Sequence, residues 1–339
     1  MTTLQIIWFV LVGFLFVMYS VLDGFDLGVG FWSLFISSDK EKRILLNSVG
    51  PVWDGNEVWL LAGGGALFAA FPHVYATVFS GFYLALMLVL YALIFRAVSL
   101  EFRSKLESNS WRSKWDLAFG LSGALPALLF GVALGNILRG LPLDASMNFT
   151  GNFFTLLNPY ALLIGVLGFS MIVTHGAVWI MLKAGGDLAV KAARWARLSW
   201  TIFATLFVVV SIVTLVWFPR RTVNFRNLPV LWLIPLFAAV SIGLAGFYIK
   251  KAKAGSAFLW SALAIASMWG ITGASLFPLI VPALEDPAKS LSIVNSSSSE
   301  LTLTAMLVMA LIGVPIVLLY TLWAYRVFWG KVDPGQKVY

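Results

Sequence analysis

The chain has 339 residues, of which 60% are hydrophobic and 11% are charged, and its mean hydropathy is +0.91. A soluble domain carries roughly a quarter of charged residues, so this composition excludes a soluble protein and indicates an integral membrane protein. The net charge of +8 does not indicate a nucleic-acid partner, because the lysines and arginines lie in short segments between apolar runs, as the positive-inside rule describes.

The residue types that carry most metal and redox chemistry are scarce. The chain has no cysteine and only two histidines, His73 and His175. Disulfides, thiolate metal sites and cysteine-held iron–sulfur clusters are therefore excluded. Two histidines are also too few for a copper-type terminal oxidase or a chain of bis-histidine haems. The sequence thus predicts no metal ligated by this chain.

A cleaved signal peptide is not expected either, because residues 1–5 contain no basic residue.

Nine apolar segments are long enough to cross a bilayer. They lie at 5–36, 52–71, 74–96, 117–138, 158–182, 200–218, 229–249, 256–277 and 302–328. The connections are too short to form a soluble domain, so residues 1–339 are predicted to form one polytopic, all-α membrane domain with nine transmembrane helices. A serine of the run 296–299 is expected to cap the last helix, with Glu300 in its first turn.

The basic residues predict the orientation of these segments. Eighteen lysines and arginines lie after the first, third, fifth and seventh segments and at the C-terminal end, whereas five lie on the other side. Because basic connections remain in the cytoplasm, the N-terminus is expected outside and the C-terminus inside.

The first and second segments each carry two acids that are three residues apart. Asp23 and Asp26 lie within the first segment, and Asp54 and Glu57 lie at the start of the second. Residues at this spacing share one face of a helix, and ionisable groups inside a membrane helix mark an ion path, a proton relay or a ligand site by default. A calcium loop around Asp23 is not expected, because the flanking residues are apolar.

In the predicted orientation the four acids form a ladder that leads from the cytoplasmic boundary toward the middle of the membrane. Asp54 and Glu57 are expected ~5 and ~9 Å inside the boundary, and Asp26 and Asp23 ~15 and ~20 Å inside it. The ladder requires that the acidic faces of the two helices meet, which the sequence does not determine. The glycines of both segments serve either close helix packing or hydration.

The second acidic pair also has a purely structural interpretation. Asp54 and Glu57 lie near the positive N-terminal end of a helix, which favours anions, so the two acids can serve only to cap that helix. Arg96, Glu101 and Arg103 cluster at the inner end of the third segment. They lie at a height that allows an ion pair with Asp54 or Glu57.

The other polar residues within the segments give weaker signals. His175 lies in the fifth segment, where it is either a haem-proximal residue or, as we prefer, a hydrogen-bonded contact between helices. His73 lies in an outer turn and is expected at the surface. Asn136 and Asn158 are expected to satisfy backbone or interhelical hydrogen bonds.

Several motifs resemble those of subunit II of cytochrome bd-type quinol oxidases. The most specific pair is DGFDLGVG at 23–30 followed by WDGNEVW at 53–59. Further matching motifs are GGALFAA at 64–70, FSGFY at 79–83, FRSK at 102–105, TGNFF at 150–154, LNP at 157–159 and ELTL at 300–303. The motifs follow the expected order over residues 20 to 305. Glu57 stands where glutamine is common in that family, and it adds one acid to the pattern.

This resemblance implies a nine-helix subunit that pairs with a related subunit I as a pseudo-symmetric heterodimer in a bacterial or archaeal cell membrane. In that family subunit I ligates haem b and haem d and oxidises quinol, so this chain is expected to ligate no haem. The electrogenic complex reduces oxygen to water with protons drawn from the cytoplasm. The resemblance leaves open whether the complex also contains a small accessory membrane subunit.

The resemblance further implies that subunit II supports assembly and supplies part of the proton path. The acid of the WDGN motif, Asp54, is its clearest member, with Asp23, Asp26 and Glu57 as further candidates, and no residue of this chain is expected to be catalytic.

Two other functions stay open. A structural subunit would use the acids only to cap and pair helices. A secondary transporter would require discontinuous helices in both halves of the chain, whereas the acids lie in one half.

Overall fold

The computed structural model describes residues 1–333 as an antiparallel bundle of long helices. The α-helices are α1 Thr3–Ser33, α2 Asp39–Val49, α3 Trp53–Ala70, α4 Pro72–Gly81, α5 Tyr83–Phe102, α6 Asn109–Arg139, α7 Pro159–Lys183, α8 Gly186–Trp217, α9 Val223–Asn227, α10 Leu233–Lys250, α11 Ala254–Leu276 and α12 Glu300–Val327. Two short strands, β1 Leu279–Val281 and β2 Leu291–Ser292, pair antiparallel. Apart from this small sheet, the predicted all-α class is confirmed.

Within residues 1–333, eight helices are long and apolar enough to cross a membrane: α1, α5, α6, α7, α8, α10, α11 and α12. The predicted second span, 52–71, is present as helix α3 but is not one of the eight. Its 18 residues include Asp54, Asn56 and Glu57, which lower the hydropathy of the helix. Nine transmembrane helices and the orientation of the termini therefore stay predictions.

The bounds of three elements differ from the sequence-based expectation. The predicted span 74–96 is two helices, α4 and α5, which meet at Phe82. Helix α8 begins well before residue 200, because the charged stretch that ends the apolar window continues the same helix. Helix α2 was not predicted at all, because it is short and polar on one side.

Polar side chains mark where several helices begin. An oxygen of the N-cap side chain accepts a hydrogen bond from a backbone N–H of the first turn, which has no partner within the helix. Such caps are Thr2, Ser38, Ser108, Asn158 and Ser299. The expected serine cap of the last helix is thereby confirmed, with Glu300 in the first turn.

We call the end of the bundle where α1 ends and α3 begins the basic end, and the opposite end the loop end. The basic end holds α2 and the turns at 103–108, 184–186 and 251–253. The loop end holds the connections 140–158 and 277–299. At the loop end Asn158 donates to Asn136 Oδ1 (2.8 Å), and Asn136 donates to the backbone oxygen of Leu156. The expected hydrogen-bonding roles of both asparagines are confirmed.

Ion pairs hold α2 against its neighbours at the basic end. Arg103 donates to Asp39 at 2.7 Å and to Asp116 of α6 at 2.5 Å, and Lys42 also contacts Asp116 at 2.9 Å. Partial burial raises the pKa of Asp39. The hydrogen bonds from Arg103 and Arg43 outweigh burial and lower this pKa to about 2. Because α3 begins only a few residues after α2, this cluster of ion pairs also fixes the position of the start of α3, which carries Asp54 and Glu57.

Glycines let α1 approach α7 closely. A Cβ atom on Gly28 would lie 2.5 Å from the backbone oxygen of Ile172 and 2.8 Å from Gly176 Cα. Small residues at such contacts are what allow two membrane helices to pack closely. The glycines of α3 differ, because a Cβ on Gly55 or Gly65 would meet nothing within 4 Å. Close packing therefore explains Gly28, and also Gly63 of α3, whose Cβ would lie 3.1 Å from the Phe16 ring, but within this chain it does not explain Gly55 or Gly65.

We expect Gly28→Ala to destabilise the detergent-solubilised, natively assembled protein by about 1–3 kcal/mol or more, because rigid backbone leaves no room for the new methyl group. Gly13→Ala, in the same helix but with open space around its Cβ, is the matched control and should be neutral or slightly stabilising. Thermal unfolding of both variants measures the difference. Equal melting temperatures would show that the α1–α7 contact is not tight.

Candidate functional site

The two acids of α1 are both buried, with 0% of Asp23 and 1% of Asp26 exposed. They lie one turn apart on α1, which packs against α3, α6 and α7. Arg96 of α5 reaches Asp23, with Nη1 2.8 Å from each carboxylate oxygen. The guanidinium is as buried as its partner. A charge removed from water in this way is stable only when it is paired, so Arg96 and Asp23 depend on each other.

The same guanidinium also pairs with the second helix of the site. Arg96 Nη2 lies 3.2 Å from Oε2 of Glu57, whose side chain is 22% exposed. Arg96 therefore joins an acid of α1 to an acid of α3. The predicted ion pair with Glu57 is present, whereas no pair with Asp54 is found within residues 1–333. The pairing with Asp23 was not predicted.

Asn56, between the two acids of α3, is the contact to Asp26. Its Nδ2 donates to Asp26 Oδ2 (2.8 Å) and to the backbone oxygen of Leu22 (3.1 Å). Its Oδ1 accepts a hydrogen bond from the hydroxyl of Tyr325 on α12 (2.9 Å). Asp26 Oδ1 has no hydrogen-bond partner within the described residues. Asp23 Oδ1 also lacks a hydrogen-bond partner there, but it lies 2.8 Å from the charged Arg96 Nη1, so Asp26 Oδ1 is the oxygen that faces neither a donor nor a cation.

Asp54 lies apart from these residues. Asp54, at the start of α3, is exposed. Further along the helix, the exposed residues include Val58, Leu61, Gly65 and Phe68. Steps of three and four residues place all five on one face of the helix, whereas the opposite face is buried. No side-chain hydrogen bond or ion pair of Asp54 is found in the described part of the chain, and no side chain caps α3 by a hydrogen bond.

The four predicted acids are thus only partly brought together. Arg96 contacts Asp23 and Glu57, and Asn56 contacts Asp26. Asp54 lies on the outward face of α3, nearer the basic end. The acidic faces of α1 and α3 meet through Arg96 and Asn56 rather than by direct contact between acids.

Sequence reasoning missed Asn56 and Tyr325 as members of the site. Asn56 carried a local signal, since it lies in WDGNEVW between two acids. Tyr325 carried none, because it is distant in sequence and an aromatic residue near the end of a membrane helix is ordinarily explained by the bilayer interface.

His175 does not fit the role of a haem ligand in this chain. His175 Nε2 donates to the backbone oxygen of Val21 (3.0 Å), and Nδ1 bonds to Ser261 Oγ (2.7 Å), so both ring nitrogens have partners. His175 is fully buried at this contact between α1, α7 and α11. His73 Nε2 lies 3.2 Å from Ser146 O at the loop end. Within residues 1–333 there is no group of three or more histidine, cysteine or acidic residues that could hold a metal ion.

Comparison with known proteins identifies a consistent set of relatives. The family model described as cytochrome bd terminal oxidase subunit II matches residues 4–328. The chain is 40% identical to a probable cytochrome oxidase subunit 2 of Haemophilus influenzae and 38% identical to the cytochrome bd-I ubiquinol oxidase subunit 2 of Escherichia coli. Each of these alignments covers 97% of this chain and 95% of the relative. The cytochrome bd ubiquinol oxidase subunit 2 of Bacillus subtilis is 35% identical, over 100% of this chain and 99% of the relative.

The fold is also similar to that of a solved structure. A chain in the structure of the bd oxidase from Geobacillus thermodenitrificans matches with a TM-score of 0.80 and 17% sequence identity, over 96% of this chain and 99% of that chain. At this identity the match shows the shared fold alone.

We expect Arg96→Gln to destabilise the natively assembled protein by about 3–5 kcal/mol, because it leaves Asp23 buried without a counter-charge. The double variant Arg96→Gln with Asp23→Asn should recover most of this loss. Arg112→Gln is the control, since Arg112 is part of a surface pair with Asp39 at 4.0 Å and should cost less than about 1 kcal/mol. The measurement is thermal unfolding in detergent. A double variant no more stable than Arg96→Gln alone would contradict the proposed dependence.

Proposed function

Because this chain belongs to the family of cytochrome bd terminal oxidase subunit II, we propose that it supports a haem-bearing subunit I in an electrogenic quinol oxidase and supplies part of the proton path. The family resemblance of its sequence motifs is confirmed. The chain is a multi-pass membrane protein of an oxidoreductase family. We place the complex in the cell membrane of a bacterium or archaeon, where it would reduce oxygen to water.

The observation that supports a proton path is the graded exposure of the acids. Asp54 is exposed at the basic end, Glu57 is partly exposed one turn further along α3, and Asp23 and Asp26 are buried. We propose that protons enter near Asp54 and reach the buried aspartates past Glu57, with water between the carboxyl groups. The excess of lysine and arginine at the basic end supports a cytoplasmic location for this entrance.

The residues of the path have different tasks in this proposal. Arg96 holds Glu57 and Asp23 near each other but does not carry protons, because a guanidinium does not release its proton in proteins. Asp26, held by a neutral amide, takes up a proton at Oδ1 and later releases the same proton to water.

Haem b and haem d belong to subunit I in this proposal. The hydrogen bonds on both ring nitrogens of His175 support that assignment, because they leave no nitrogen for an iron. When bound in the partner, the haems supply the oxygen-reducing chemistry. This chain contributes proton supply and a packing surface.

A purely structural subunit is the main alternative. Ion pairs of Arg96 with Asp23 and Glu57 stabilise the helix bundle whatever else they do, and they are equally compatible with this alternative. Asp54 distinguishes the two functions, because it has no partner within residues 1–333 and caps no helix through a hydrogen bond. A transporter is less well supported, since the buried acids form one cluster rather than two related ones.

We expect Asp54→Asn to lower quinol-driven oxygen uptake by about tenfold or more while haem content stays unchanged, because asparagine removes the exchangeable proton and keeps the size. Asp187→Asn is the matched control. Asp187 is an exposed acid in the first turn of α8 at the same end of the bundle, so a dipole or capping effect would act on both variants alike. Unchanged turnover with a less stable complex would support the structural alternative.

We expect a graded response along the path. Asp23→Asn and Asp26→Asn should slow turnover more than Glu57→Gln, because protons cannot bypass a deeply buried carboxyl group as readily as one that is 22% exposed. Oxygen uptake per haem across pH measures the order. Loss of turnover in Glu57→Gln alone, with both aspartate variants fully active, would show that the proposed direction and order of the path are wrong.

A further inference from the structure

Tyr325 of α12 reaches the buried acids through Asn56. Its hydroxyl donates to Asn56 Oδ1 at 2.9 Å. The tyrosine ring packs edge-on against Phe25 (6.4 Å between centroids) and against Trp179 (6.1 Å). These aromatic contacts set the direction of the hydroxyl, which joins the last helix of the chain to the motif that begins α3.

The amide of Asn56 has only one orientation in which every contact is complementary. The backbone oxygen of Leu22 and Oδ2 of Asp26 both accept hydrogen bonds from Nδ2. A carbonyl oxygen has no hydrogen to donate, so Nδ2 must face Leu22 and Oδ1 must face Tyr325. Asn56 is only 1% exposed, and no other donor to Oδ1 is present within the described residues. Without the tyrosine hydroxyl, a buried amide oxygen would lose its partner, which is costly.

This orientation determines the chemistry of Asp26. Since Asn56 donates to Oδ2, that oxygen is occupied as an acceptor, and Oδ1 is the oxygen without a partner. We propose that Tyr325 is a positioning residue of the proton path: together with the backbone oxygen of Leu22 it holds the amide of Asn56 in place, and that amide determines which oxygen of Asp26 takes up the proton. This inference rests on the proposed proton path.

Few contacts hold Tyr325 in place along the membrane normal. Leu303 is the single buried residue of α12 within the described chain. Near its start, the helix accepts a hydrogen bond at Leu303 O from the indole of Trp8 (2.9 Å). Near its end, Lys183 Nζ donates to Phe328 O (2.6 Å), and Val332 N donates to Lys183 O (2.9 Å). Phe328 lies one turn beyond Tyr325, so the bond from Lys183 helps to hold the tyrosine at its height.

The test is Tyr325→Phe in the assembled oxidase, which keeps the ring and removes the hydroxyl. We expect the kcat of quinol-driven oxygen uptake per haem to fall about fivefold, as loss of one hydrogen bond implies, with an unchanged KM for quinol. The kinetic solvent isotope effect, measured in H2O and D2O, should rise because proton transfer becomes slower. Tyr320→Phe on the same helix is the matched control, since Tyr320 is 61% exposed, and it should change neither quantity.

A second variant shows whether Tyr325 acts through Asn56. In an Asn56→Ala background, Tyr325→Phe should cause no further loss, because there is no amide left to position. A full additional loss in that background would overturn the inference, and so would wild-type kcat and isotope effect in Tyr325→Phe alone. A fall in haem content that accounts for all of the lost activity would also overturn it. If Asn56→Ala does not assemble, the kcat, KM and isotope effect of the single variant decide.

The variant Asp26→Asn separates this inference from the proposed function. Full turnover in Asp26→Asn would contradict the proton path itself. Slow turnover in Asp26→Asn together with normal turnover in Tyr325→Phe would contradict only the positioning role of Tyr325.

Discussion

One buried cation, Arg96, determines how the first helices of this protein are arranged. Moving a guanidinium out of water costs several kcal/mol unless acceptors surround it, and its acceptors come from two different helices, Asp23 of α1 and Glu57 of α3. Three helices must therefore keep one relative rotation. That rotation also directs Asn56 toward Asp26 and leaves Asp54 on the outward face of α3. The division between paired and unpaired acids follows from this constraint.

The arrangement separates acids that are held in ion pairs from acids that lie outside them. Acids that share the guanidinium stabilise the bundle, and replacing their partner leaves a buried charge without compensation. Asp26 interacts with a neutral amide instead, and Asp54 has no partner within residues 1–333. In a membrane, where helix surfaces and lipid tails are equally apolar, polar contacts of this kind contribute much of the specificity of helix packing. The same polar contacts can therefore hold the helices together while Asp26 and Asp54 stay outside the ion pairs.

Local sequence signals predicted the long helices, the serine cap at Ser299 and the two acidic pairs, because hydropathy, capping and i, i+3 spacing depend on near neighbours in the chain. They did not predict which faces of α1 and α3 meet, since the rotation of α1 about its axis depends on packing against α6 and α7. Helix α2 was missed because a short, partly polar helix has no transmembrane signal. Tyr325 was missed because its contact joins residues 269 positions apart.

Helix α12 connects this local network to the rest of the protein. The helix buries only Leu303 among its described residues, so polar contacts contribute to its position against its neighbours. Hydrogen bonds to Trp8, Lys183 and Asn56 help to set this position. The three contacts lie on one helix, so a shift of α12 along its axis strains all of them together. Such a shift would release the amide of Asn56 while Arg96 stays paired, because neither acid bound to Arg96 is on α12. The position of the last helix is thus coupled to Asp26 and not to the ion pairs that hold α1, α3 and α5 together.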